Sequence, residues 1–126
     1  IRMPDAMVYP LNLGIPALIK GIFYNEHNLE RYYKLSLKYN NEDIECIKTK
    51  LLTDIDVTYK GLSVGEMSLD LLRDGIEALA ERDASYLEEI FKIVENRTSY
   101  SIKLKELYKK GRVSFLNAIS VGGYNE

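Results

Sequence analysis

The segment from Leu11 to Tyr24 constrains the fold more than any other stretch, because it is the most apolar part of the chain. Leu11, Ile15, Leu18, Ile19, Ile22 and Phe23 recur at helical spacing. A helix that is apolar on more than one face belongs against other elements, so these residues predict the buried helix of the molecule. Pro16 falls within its first turns, where a missing amide costs least. Residues 1–10 read as extended, since Pro4 and Pro10 fix their own backbone angles and push their neighbours out of the helical region.

Further helices follow at regular intervals. Asn25 can cap one that runs to about Tyr39. Asn40 or Asn41 can cap the next, Glu42 to Leu52, where Glu42 and Asp43 in the first turn complement the helix dipole. Asp54 to Tyr59 alternates polar and apolar residues like a short strand, but with no partner strand evident it reads as an extended connector. Ser63-Val64-Gly65-Glu66 has the form of a capping box and opens the longest predicted helix, to about Arg82. Gly75 inside that helix costs about 1 kcal/mol against Ala, which hints at close packing there. Ser85-Tyr86-Leu87-Glu88 reads as another capping box, opening a helix through Val94. Thr98 caps a segment to Lys110 that stops at Gly111, and Val113 to Ile119 makes a final turn or short helix. The expected architecture is all-α: a single domain of about six helices over residues 1–120, with a short extended N-terminal segment and a flexible tail at 121–126.

Composition narrows the function classes. A net charge of −2 argues against a general nucleic-acid binder, which needs a basic surplus. No apolar run reaches the roughly 18 residues of a membrane span, and no signal peptide is evident. A lone cysteine, Cys46, cannot form an internal disulfide, so a reducing compartment, the cytoplasm, is expected.

Few side chains carry chemistry. Arg2 is a clamp for carboxylate or phosphate, with Asp5 three residues on. Taken alone, two such charges read as an exposed pair of near-zero worth. His27 has no second histidine or cysteine nearby, so no metal site is expected. A nucleophilic Cys46 would need a neighbouring base, and with only Lys48, Lys50 and carboxylates local it reads as a small packing residue. The ten tyrosines suggest stacking platforms for single strands, but a basic groove is missing, and tyrosines at the rim of the core with wet hydroxyls fit better. Lys103, Lys105, Lys109, Lys110 and Arg112 gather at a helix C-terminus, where the dipole favours cations. No glycine-rich phosphate loop is present.

The order of segments resembles the C-terminal part of glutamate–cysteine ligase (γ-glutamylcysteine synthetase), in the branch shared by plants and many bacteria. That family carries a Glu-x-Arg-x-x-Asp strand end, then a helix rich in Leu-Pro-Ala that closes with Gly-Leu-Leu-Tyr-Asp. The counterparts here are Arg2-Met3-Pro4-Asp5, Ile15-Pro16-Ala17-Leu18 and Gly21-Ile22-Phe23-Tyr24-Asn25. Leu79 to Asp83 matches a Leu-x-Arg-Arg-Gly helix end, and Leu104-Lys105-Glu106-Leu107-Tyr108 matches Leu-Leu-Glu-Leu-Tyr. The resemblance implies an ATP- and magnesium-dependent ligase. In it the side-chain carboxylate of glutamate is phosphorylated and the amine of cysteine attacks, giving γ-glutamylcysteine for glutathione synthesis. It gives Arg2 the role of contacting substrate or phosphate charge, and assigns Asp5 none. The family's glutamate, a metal-ligand candidate, would fall just before Ile1.

Because residue 1 is Ile and the first Met is Met3, the sequence reads as a piece of a larger protein. The resulting expectation is a helical scaffold that does not catalyse alone and binds neither metal nor nucleotide by itself. It would self-associate through its first helix if that helix normally packs on a missing sheet. The competing expectation is an autonomous helical interaction module that docks through the same helix.

Overall fold

A computed structural model describes residues 9–120. Over those residues the chain forms seven helices and one small hairpin, so the all-α expectation holds. In chain order these are α1 (Leu11–Phe23), α2 (Glu26–Ser36), α3 (Asn41–Leu51), β1 (Thr58–Tyr59), β2 (Leu62–Ser63), α4 (Val64–Glu77), α5 (Glu81–Glu95), α6 (Tyr100–Lys110) and α7 (Arg112–Ile119).

The core is a three-helix unit in which α1, α4 and α5 pack on one another. Its centre is Ala17 of α1, Leu72 of α4 and Leu87 of α5, with Leu18, Ile76, Leu79, Tyr86, Ile90 and Phe91 packed around them. The helices approach closely because small residues meet at the crossing. A Cβ added to Gly21 would stand 2.7 Å from the carbonyl oxygen of Gly75 and 2.8 Å from its Cα. The close packing inferred at Gly75 is thus a glycine-on-glycine contact between α1 and α4.

Polar side chains set most of the helix starts. Asn25 accepts from the amide of Asn28. Asn40 accepts from the amide of Asp43, while the Asp43 carboxylate accepts from the amide of Asn40, a complete capping box. Ser63 accepts from the amide of Glu66, but the Glu66 carboxylate turns to Arg97 and the reciprocal half of that box is missing.

Five features differ from the expectation, the first being that α2 stops at Ser36, short of Tyr39. The connector does find a partner: Thr58 and Tyr59 pair antiparallel with Ser63 and Leu62. The turn between them, Lys60-Gly61, has φ of 46° and 79°, the left-handed pair that lets a two-residue turn match strand twist. The long helix ends at Glu77 rather than near Arg82, and a break at residues 78–80 lets α5 fold back beside α4. The helix expected to open at Ser85 therefore starts at Glu81, and Ser85 donates its hydroxyl to the carbonyl of Arg82. Ser99, not Thr98, caps α6.

The first helix also departs in part from its expected role. Leu11, Gly14, Ala17, Gly21 and Ile22 are buried, but Pro16 is exposed and Phe23 keeps 56% of its surface open. The open strip of α1 among the described residues is mixed, with Pro16 and Phe23 standing beside Asn12 and Lys20.

Candidate functional site

Arg2 and Asp5, the charged pair singled out in the sequence, lie outside the described residues. His27 is exposed in the first turn of α2, and Cys46 is half-buried on α3. The structure gathers its polar side chains elsewhere, between α2 and α4.

Asn28, Arg31, Tyr32 and Leu35 recur three and four residues apart, so they share the inward face of α2. Asn28 is 6% exposed. Its side-chain amide donates to the carbonyls of Gly21 and Asp74, 3.0 Å each, and so ties the end of α1 and the last turns of α4 to α2. Buried amides of this kind are costly to leave unpaired, and here both protons have partners. The Asp74 carboxylate accepts from Arg31 at 2.6 Å and from the Tyr32 hydroxyl at 2.7 Å. Burial, and then the hydrogen bond to Asp74, push the Tyr32 phenol well above its ordinary range. Asp70, one turn earlier on α4, lies 3.6 Å from Arg31 and 3.3 Å from Arg73.

Next to this cluster, α2, the β-hairpin and α4 enclose a hollow of about 620 Å³. Leu35, Leu62 and Met67 form its apolar part, with Lys34 and Lys38 on one wall and Glu66 and Asp70 on the other. Lys34 is paired with Glu30, Arg31 with Asp74, and Glu66 with Arg97. The arrangement clamps α2 to α4 through the Asp74 carboxylate, with Arg31 and Tyr32 donating to it from one side and the Asn28 amide binding the Asp74 carbonyl beside it.

A second cluster does the same for α3. Asp43 is buried, and its carboxylate accepts from Lys60 at 2.7 Å and Tyr59 at 3.1 Å. The Lys60 hydrogen bond and the backbone bond at Asn40 hold the Asp43 carboxyl below the usual carboxylate range. The tyrosine hydroxyls of positions 32 and 59 therefore end on carboxylates, not on solvent as the rim reading expected. The Asn28/Arg31/Tyr32 face was legible in principle from its spacing on α2, but its partner Asp74 is 46 residues away from Asn28 and nothing local announces it.

The resemblance implies magnesium and ATP. Among the described residues, no group of three or more His, Cys, Asp or Glu side chains is disposed to hold a metal ion. By themselves the described residues do not fit a magnesium site. Among them, too, no helix is long and apolar enough to cross a membrane.

The fold thus defines an all-α domain whose elements are tied together by polar clamps. Compared with known proteins, the chain is 28% identical over 99 residues to a chloroplastic glutamate–cysteine ligase of Medicago truncatula. The likeness is distant, and it covers 75% of this chain but 20% of the relative. The chain spans about a fifth of the length of the curated relative it matches. No family model matches, and no solved structure matches.

Proposed function

We propose that this chain is the helical C-terminal portion of an ATP-dependent carboxylate–amine ligase that joins glutamate to cysteine in the cytoplasm, on the way to glutathione. The observation that carries the reading is the 99-residue likeness to the Medicago truncatula ligase, 28% identical and covering 75% of this chain. The physical counterpart is the open face of α1. Pro16 and Phe23 expose apolar surface on the most apolar helix of the molecule, as a helix does when one of its neighbours belongs to another part of the protein.

In this reading the α1/α4/α5 core is a buttress, and Arg2 is its one contribution to the reaction centre. A guanidinium there would stabilise negative charge as it develops on the reacting carboxylate or phosphate. Phosphoryl transfer needs converging carboxylates and cationic clamps, and one arginine is not enough. The chain alone is therefore inactive.

The test is formation of γ-glutamylcysteine from glutamate, cysteine and magnesium ATP. The purified chain is expected to give none above the blank. The product of the whole reading frame is expected to be active, and Arg2→Ala in it to lower kcat on the order of 100-fold. Product from the chain alone would overturn the buttress reading. No product from the whole frame would favour the alternative, an autonomous helical module docking through the exposed face of α1.

A further inference from the structure

The hairpin of α6 and α7 is built unlike the rest of the molecule. None of residues 102–119 is buried, although Leu104, Leu107, Tyr108, Phe115 and Leu116 give it ample apolar material. Tyr108 and Phe115 meet edge to face, with ring centroids 5.5 Å apart. With Leu104 they line an apolar hollow of about 340 Å³, bordered by Lys105 and Lys109. Residues 99–120 carry five cations and a single anion, Glu106. No ion pair engages those five cations among the described residues.

The body of the chain has the opposite character. Residues 9–98 carry sixteen acidic and eleven basic side chains. A hollow of about 400 Å³ opens between α4 and α5, with Ile76 and Phe91 as its apolar part. Glu77, Glu88 and Glu95 stand around it together with Arg73 and Lys92. Those three carboxylates are likewise in no ion pair among the described residues, whereas Arg73 is held by Asp70 and stacks over Phe91.

We infer that the α6–α7 hairpin of one copy of this chain docks in the α4–α5 hollow of a second copy, and that the second copy returns the contact. Charge complementarity selects the occupant: an apolar hollow bordered by the unpaired Lys105 and Lys109 matches an apolar hollow where three unpaired glutamates outnumber the one unpaired cation, Lys92, and one sequence supplies both. Two reciprocal contacts of this kind close a two-fold dimer instead of propagating a filament. Tyr108 and Phe115 would meet Ile76 and Phe91, while Lys105 and Lys109 would face Glu88 and Glu95. The inference does not rest on the ligase reading, since it uses neither Arg2 nor the open face of α1.

Sedimentation equilibrium on the chain at about 100 μM tests it, with circular dichroism confirming that each variant is folded. A dimer is expected, weakened by 0.5 M salt because the rim charges are exposed. Lys105→Glu with Lys109→Glu should raise the dimer Kd about 10-fold or more, as should Glu88→Lys with Glu95→Lys, because like charges then face each other. An equimolar mixture of the two variants should associate again as a heterodimer. A monomer at 100 μM would overturn the inference, as would a dimer that ignores both charge reversals. If Ile19→Glu with Phe23→Glu dissolves that insensitive dimer, association runs through α1 instead.

Discussion

The α1/α4/α5 core and the α6–α7 hairpin are made from similar proportions of apolar and charged residues, yet they hold together in different ways. In the core, small residues at the crossings let helices approach until backbone meets backbone, and large side chains from all three fill what remains. In the hairpin, two short helices share one edge-to-face aromatic pair, and none of residues 102–119 is buried. Helical pattern and capping are thus enough to form a helix, whereas a core needs a third element against which the apolar face can close. The hairpin has its caps, Ser99 before α6 and Gly111 between the helices, where φ of 141° suits glycine. It lacks the third element.

That contrast can be broken by substitution. The largest effect is expected from Leu87→Ala, since Leu87 is 0% exposed at the centre of the core. It should cost about 2–5 kcal/mol in urea denaturation, because the rigid surroundings cannot collapse into the space left. Gly21→Ala comes next, at about 1–3 kcal/mol: its methyl group would land on the Gly75 backbone, which cannot rotate away, so α1 and α4 must part. Asn28→Ala should cost about 1–3 kcal/mol in the same assay, by taking the Asn28 amide from the Gly21 carbonyl and leaving the Asp74 carbonyl with the Ala78 amide alone. In the hairpin, Phe115→Ala is expected to lower global stability by less than about 1 kcal/mol, since a half-exposed ring there contributes little to the unfolding core. A loss comparable to that of Leu87→Ala would show that the two regions unfold as one.

Acid sharpens the comparison from another side. The folded pKa of Asp43 is depressed, so its contribution to stability is present above the unfolded carboxylate value near 4 and is lost as pH falls below it. Glu30, held down by Lys34 from an exposed position, and the half-buried Asp83, held down by Lys20, titrate with the same sign. Melting temperature should therefore fall between pH 5 and pH 3, and Asp43→Asn should start lower and vary less over that range. An unchanged slope in Asp43→Asn would mean that the Lys60–Asp43 pair does not hold α3 to the β-hairpin.

The elements differ in how far the sequence disclosed them. Helix class and most starts were legible because their causes are local: Asn25, Asn40 and Ser63 each bond an amide three residues on. The glycine in α4 announced a close approach, but its partner Gly21 is 54 residues away and no spacing rule finds it. The break at residues 78–80 was hidden for the opposite reason. Leu79, Ala80 and Glu81 are good helix formers, and the chain turns there because tertiary packing outweighs local preference. The Lys60-Gly61 turn could have been read from its glycine, but the two-residue strands beside it are too short to show a period. Of the candidate site, Arg2 and Asp5 lie outside the described residues, and the clamp at Asp74 is assembled from residues far apart in sequence.

The most direct test of a closed core beside an open hairpin is amide hydrogen exchange on the chain at about 1 μM, dilute enough to disfavour pairing of copies. The amides of α1, α4 and α5 should exchange together and slowest, through global unfolding, and those of residues 102–119 on the order of 100-fold faster or more. Equal protection of the hairpin and the core would contradict the account.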